Sequence, residues 1–329
     1  MILCFGETLL RLVPQLNGQW IEQALLKTYI GGAELNTAFA LAKWKEKVAY
    51  ATALPDHYLA EEIILYLAQH NIEVSRIHRR EGRVGTYYLP QGSDVKTSGV
   101  IYDRMHSSFA QLTLEALDVE KMLEGVQWFH ISAICPALNA GAAEISLELL
   151  RQAKQKGITT SIDFNFRNKL WQWGALPTEI MPALTKHCDV LMGNLWAVQS
   201  LLGIETQLEN NAETDPAKLL EAAGESMAAL HQLYPNVQTS AYTFRFEQTY
   251  FGVLQHHQER VASEIYPIRQ IVDKVGSGDT FMAALIFGIK NGWSAQDIIA
   301  FSAQAAVQKL GETGDHTQAE LHEILQKTC

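Results

Sequence analysis

The chain has 329 residues, 47% of them hydrophobic and 19% charged, with a formal net charge of −10. That length holds one large α/β domain with an excursion or two ordinary domains, and the apolar content supports a packed core rather than disorder. The acidic balance and the absence of a basic run exclude nucleic acid and anionic membrane as partners, while leaving room for an anionic small molecule met by a few arginines.

In chain order, Ile2 to Phe5 is a short apolar run predicted to be a strand. Leu35, Ala38, Phe39 and Ala42 recur at helical spacing, and Val48 to Thr52 follows as a second strand. Leu59 to Gln69 is helical; Trp128 to Ile131, Thr159 to Phe164 and Val190 to Met192 are buried strands. Helices are predicted at Ala143 to Lys156, Leu195 to Leu202, Ala217 to Tyr234 and Ala295 to Leu310, with a polar loop from Gln207 to Pro216. Such alternation implies a mainly parallel sheet covered on both faces. Leu9 to Lys27 and Val84 to Tyr102 break the rhythm. Both are β-like, and they form either a small separate sheet or two surface hairpins.

Cys4, Cys135, Cys188 and Cys329 are far apart without a C-x-x-C pair, as expected of free thiols in a reducing compartment. The opening residues lack a signal-peptide pattern and no apolar run approaches the ~18 residues of a membrane span. Cytoplasmic is the expected location.

Val275-Gly276-Ser277-Gly278-Asp279 precedes a strong helical start at Thr280 to Ile286. Glycines ahead of a helix leave backbone N–H groups pointing one way, an anion site reinforced by the helix dipole. An aspartate inside that turn repels a bound anion, so it makes poor sense for binding alone. It makes sense as a base that takes a proton from an attacking hydroxyl while the amides stabilise a transferring phosphoryl group. From these residues alone a simple N-cap turn fits equally well. The turn is neither a Walker A loop nor a complete dinucleotide fingerprint, so a nucleotide-dependent oxidoreductase is disfavoured.

Asp273 to Phe281 resembles the C-terminal signature of the ribokinase-like (PfkB) carbohydrate kinases, and Gly31 to Ala38 resembles their N-terminal signature. The resemblance implies one ribokinase-like domain over 1–329. Its α/β core would be doubly wound and mainly parallel, with a small β lid from about 9–27 and 84–104. It implies Asp279 as catalytic base, the amides of Gly276, Ser277 and Gly278 as anion hole, and Gly32 and Asn36 lining the sugar pocket. ATP with Mg2+ would be the cofactor, with a monovalent cation as a further candidate. A homodimer or higher homo-oligomer pairing through the lid is also implied, for which Trp20, Ile21 and Leu25 are the apolar candidates.

Three segments are similar to the branch that phosphorylates 2-keto-3-deoxygluconate: Gly6 to Arg11, Val100 to Arg104, and Asp163 to Arg167 with Leu170 and Trp171. A sugar acid needs a cation for its carboxylate, and guanidinium matches carboxylate geometry. Arg104 and Arg167 are the candidates, with Tyr88 and Tyr102 covering the sugar. The alternative pairs Arg104 with Asp103 or a surface acid, and Arg167 with Asp163. Phosphorylation of 2-keto-3-deoxygluconate to its 6-phosphate is thus the expected activity, a fructokinase the second reading, and a non-catalytic sugar-binding protein the third.

Two segments depart from the pattern. Asn194 to Ala197 is similar to an Asn-x-x-Glu segment with Ala197 at the acidic position, which leaves the metal site unassigned. The usual glycine-rich nucleotide loop is replaced by Ser240 to Phe246, where Thr243 is expected at a strand end and Arg245 to supply a phosphate contact. Asn194, Thr243, Arg245, Gly276 and Gly278 are the expected ATP contacts. Ala303, Ala305 and Ala306 give the last long helix a small face, suited to adenine or to ordinary packing.

Overall fold

The computed structural model describes residues 1–14, 25–93, 99–206, 208 and 214–327. The first half contains β1 (Ile2–Phe5), β2 (Leu9–Val13), β3 (Lys27–Gly31), α1 (Ala33–Lys43), β4 (Val48–Leu54), α2 (Tyr58–Gln69), β5 (Ile72–Glu73) and β6 (Ile77–Arg79). After β7 (Gly85–Tyr88), β8 (Ile101–Asp103), a 3-10 turn at Leu114–Ala116 and α3 (Val119–Met122) come β9 (Trp128–Ser132), α4 (Ile134–Leu138) and α5 (Ala140–Gln155). The chain continues through β10 (Thr159–Asp163), α6 (Pro177–Thr185), β11 (Val190–Gly193), α7 (Leu195–Leu202) and α8 (Pro216–Leu233). It finishes with β12 (Thr239–Arg245), β13 (Thr249–His256), β14 (Glu259–Ala262), β15 (Tyr266–Pro267), α9 (Ser277–Lys290), α10 (Ala295–Leu310) and α11 (Leu321–Leu325).

The main sheet runs β14-β13-β12-β11-β10-β9-β1-β4-β5, parallel from β12 to β5, with antiparallel pairing confined to the β13 edge. Its strands are apolar runs because both faces are covered. Alternation inside β1 makes the point. Leu3 and Phe5 enter the core beneath α3 and α5 to α8, whereas Ile2 and Cys4 enter the core beneath α1, α2 and α9 to α11. Strand order reverses around β1, so the loops after β1, β9 and β10 open on a common crevice at the carboxyl ends of the strands.

A second sheet, β3-β2-β7-β8, stands apart from the first. The β-like excursions therefore form a small separate sheet and not two hairpins. Its bounds differ from those expected: β3 begins at Lys27, where the first excursion was expected to end, because Thr28, Tyr29 and Ile30 continue as β-favouring residues paired to β2. Trp20, Ile21 and much of the loop expected over Gln207 to Pro216 lie outside the described residues; Pro216 itself opens α8 at a position where its missing N–H is harmless. Cys4, Cys135 and Cys188 are free and buried. Among the described residues no helix is long and apolar enough to cross a membrane.

Candidate active site

Gly276 starts α9 in the left-handed region, φ 83°, and a Cβ there would lie 1.8 Å from the carbonyl oxygen of Asp315. Only glycine satisfies both conditions. No side chain caps α9. The amides of its first turn, from Ser277 through Asp279, are therefore available to an anion at the positive end of the helix dipole. The Ser277 hydroxyl is turned away from this turn, its Oγ donating to the carbonyl of Ala306 at 3.1 Å. Thr280 Oγ1 donates back to the Gly276 carbonyl at 2.8 Å and pins the turn.

Asp279 is 7% exposed and accepts a hydrogen bond from Asn36 Nδ2 at 2.7 Å. Burial pushes its carboxyl up to about 8; the Asn36 hydrogen bond opposes that, the charges of Asp163 and Glu34 add to it, and Arg167 opposes it. Asn36 is buried on α1, and its amide oxygen has no partner among the described residues, which leaves it open to a donor from outside the chain. Gly32, at φ 144°, lets the chain pass from β3 into α1 where a Cβ would lie 2.3 Å from the Glu7 carbonyl oxygen. The structure thus brings Gly32, Asn36, Arg167 and Asp279 together.

Arg104 is buried, yet its partner is neither Asp103 nor a surface acid. Its Nε donates to Glu7 Oε2 at 2.7 Å and Nη2 reaches the same oxygen, while Asp103 pairs with Arg83. Arg167 Nη1 donates to the Phe166 carbonyl at 3.1 Å. The tyrosines need a correction. In the β7–β8 pairing Tyr87 lies opposite Tyr102 and Tyr88 opposite Ile101, so Tyr88 and Tyr102 point to opposite faces and cannot line one pocket together. Tyr87 is the tyrosine that shares the face of Tyr102, and Arg104 sits 5.8 Å from the Tyr102 ring centre.

On the expected nucleotide side, Asn194 spends its side-chain oxygen capping α7 through the Ala197 amide at 2.9 Å. Ser240 to Arg245 belongs to β12, and Thr243, expected at the strand end, lies two residues short of it, its hydroxyl 3.4 Å from the Gly193 carbonyl. Alternating aromatic and small side chains hold this stretch in the sheet against β13. Ala303, Ala305 and Ala306 are fully buried in the core, which makes them packing residues and not a nucleotide surface. His130 is buried against Ser161, and desolvation lowers its pKa to about 3, as for a structural histidine. Among the described residues no group of three or more His, Cys, Asp or Glu is placed to hold a metal.

Several buried charged residues were not singled out from sequence. Glu34 accepts from the Ser132 amide at 2.9 Å and the Cys135 thiol at 3.2 Å, with burial raising its pKa. Arg11, Asp273, Asp315 and Lys309 are fully buried or nearly so. The only local signal was an arginine inside the apolar run Leu9 to Val13.

The pfkB family carbohydrate kinase model matches residues 1–321. The 2-dehydro-3-deoxygalactonokinase of Haloferax volcanii is 29% identical over 323 residues, 95% of this chain and 92% of that one. The 2-dehydro-3-deoxygluconokinase of Bacillus subtilis is 24% identical over 299 residues, 90% and 85% of the two chains. The crystal structure of 2-dehydro-3-deoxygluconokinase from Thermotoga maritima matches with a TM-score of 0.88 at 30% identity, covering 99% of this chain and 98% of that one. With the anion-binding turn, the buried aspartate and the small second sheet in the arrangement described, this chain belongs to the pfkB family of carbohydrate kinases, ATP-binding phosphotransferases.

Proposed function

We propose that the protein transfers the terminal phosphoryl group of ATP to a keto-deoxy sugar acid, 2-keto-3-deoxygluconate first among them, at its 6-hydroxyl. The observation that carries this reading is Asp279, buried at the start of α9, held by Asn36 and within the field of Arg167. A carboxyl pushed toward neutrality by burial is suited to take a proton from an alcohol at physiological pH. The Asn36 hydrogen bond orients it. The amides of Gly276, Ser277 and Gly278 face the phosphoryl oxygens, whose charge grows during transfer. Arg167 pairs with the sugar carboxylate. Arg104 joins it through the Nη1 edge, since Nε and Nη2 are engaged by Glu7.

The nucleotide side of the proposal keeps Asn194, Thr243 and Arg245 as ATP contacts. Mg2+, which accompanies ATP in this family, neutralises phosphate charge when bound. A magnesium ion bound with ATP would need little from the protein beyond one carboxylate. Ala197 supplies none; Asp163, which ends β10 where the crevice opens, is the carboxylate that would hold the ion. A monovalent cation is left out of the proposal because Arg11 and Lys309 already balance Asp273 and Asp315.

We take residues 1–329 as one kinase domain with the small sheet as its lid, located in the cytoplasm. Pairing of two copies through the lid remains part of the proposal, supported by Leu25 at 88% and Ile101 at 49% exposure. The test is ADP release across a panel of sugar acids and neutral hexoses, with and without Mg2+. Turnover of the acids with little on fructose is the expected result; turnover of neutral hexoses alone would discard the sugar-acid assignment.

A further inference from the structure

Two strands of the small sheet send side chains to one pair of carboxylates that the chemistry above does not use, and a third lays a ring against Arg11. Arg11 on β2 lies opposite Tyr29 on β3 and opposite Tyr87 on β7, so the three share a face. Arg11 is fully buried and forks: Nη2 donates to Asp273 Oδ2 at 2.6 Å and Nη1 to Asp315 Oδ1 at 2.8 Å. The Tyr87 hydroxyl donates to the other oxygen of Asp315 at 2.6 Å. The Tyr29 ring stands 5.3 Å from the Arg11 guanidinium and would meet a Cβ on Gly314 at 3.2 Å. Lys309, likewise without exposure, lies within the field of both carboxylates.

Both carboxylates bracket the catalytic turn. Asp273 stands three residues before Gly276, and its Oδ1 accepts from the Val275 amide at 3.4 Å. The carbonyl of Asp315 closes on the opposite side of Gly276, where even a methyl group has no room. Val275 itself packs on the small-sheet cluster of Leu9, Tyr87, Leu89 and Val100. Burying two cations against two carboxylates gives little stability that apolar side chains of the same volume would not, so the arrangement calls for another reason. Geometry supplies one. A planar fork that grips two acids at once sets their separation, which an ammonium point charge does not.

We propose that Arg11 is a positioning residue for phosphoryl transfer: its fork ties the small sheet to both flanks of the Gly276 turn, so that seating the sheet and setting the anion-binding amides are one event. Arg11 has no exposed surface, and both its hydrogen-bond partners are carboxylates of this chain, so its effect passes through Asp273 and Asp315. The inference rests on the turn at Gly276 to Asp279 being the phosphoryl-transfer site.

The test compares wild type with Arg11→Lys, which keeps the charge and loses the fork, and with Tyr87→Phe, which loses one hydroxyl. The substrate is whichever sugar acid the wild type turns over in the panel, so a wrong choice of sugar does not touch the result. Arg11→Lys is expected to melt close to wild type and keep both KM values, while kcat per folded molecule falls about 10- to 100-fold. Tyr87→Phe moves kcat the same way by less. In Arg11→Ala, millimolar guanidinium is expected to restore part of kcat where ammonium at equal concentration does not. Wild-type kcat in folded Arg11→Lys overturns the proposal. Activity lost only in proportion to the unfolded fraction does so too, as does guanidinium raising the melting temperature of Arg11→Ala without raising kcat.

Discussion

Asn36 Nδ2 donates to Asp279 Oδ2 across 2.7 Å, joining two residues 243 positions apart in the chain and the first turns of two packed helices. The bond spends one oxygen of the carboxylate on orientation, and under the proposed function the other would meet the incoming hydroxyl. Asp279→Asn should therefore lower kcat by at least ~10²-fold while both ligands still bind. Single-turnover kinetics beside ATP and sugar-acid binding measurements check this; a variant with near wild-type kcat would remove Asp279 from its role.

The same residue sets a pH dependence. Its carboxyl sits at about 8 in the folded protein, raised by burial. The base acts only when ionised, so kcat/KM should fall as pH drops below about 8. Stability moves the other way. With an unfolded value of about 4, the folded state binds the extra proton between about pH 4 and pH 8, so stability declines as pH rises through that window. Asp279→Asn should match wild type in melting temperature near pH 4 and exceed it most above pH 8. Melting curves across that range decide it, and a gap that widens toward acid would contradict the assignment.

Arg104 is both a candidate sugar contact and the partner of buried Glu7. Removing it alone strands a buried carboxylate, so Arg104→Ala should cost about 3–5 kcal/mol of stability. Any loss of sugar-acid binding, ~1.5–3 kcal/mol for a charged hydrogen bond, adds to that as a separate effect. The double variant Glu7→Gln with Arg104→Met separates them: stability returns and sugar-acid affinity does not. Urea unfolding and KM for the sugar acid are the measurements. Recovery of both would make Arg104 a structural residue only.

Arg245 ends β12 on the proposed nucleotide side. Arg245→Ala should raise the KM for ATP by about 10-fold or more, the worth of a hydrogen bond to a charged group, and leave the KM for the sugar acid alone. An unchanged ATP KM ends that role.

The parts of the site legible in the sequence are local. Gly276 to Asp279 announces itself because the glycines, the acid and the helix start are contiguous, and Gly32 with Asn36 does so for the same reason. The parallel strands were legible because burial on both faces writes them as apolar runs. That Tyr88 and Tyr102 point to opposite faces of the small sheet was not legible, because the register of β7 against β8 decides it and one residue in a strand is the opposite face. The Arg11 fork was not legible at all: it joins positions 262 and 304 residues apart, and nothing near Arg11 signals a buried acid. The strand end expected at Thr243 falls two residues later, at Arg245, because Phe244 continues the alternation that holds β12 in the sheet.

Between the end of β3 at Gly31 and the start of α1 at Ala33 stands a single residue, Gly32. One residue inserted there would turn the helix by about 100° and carry Asn36 away from Asp279. The junction therefore admits no change of length that keeps the Asn36–Asp279 bond, and a chain with an insertion at this point would need a different partner for that aspartate.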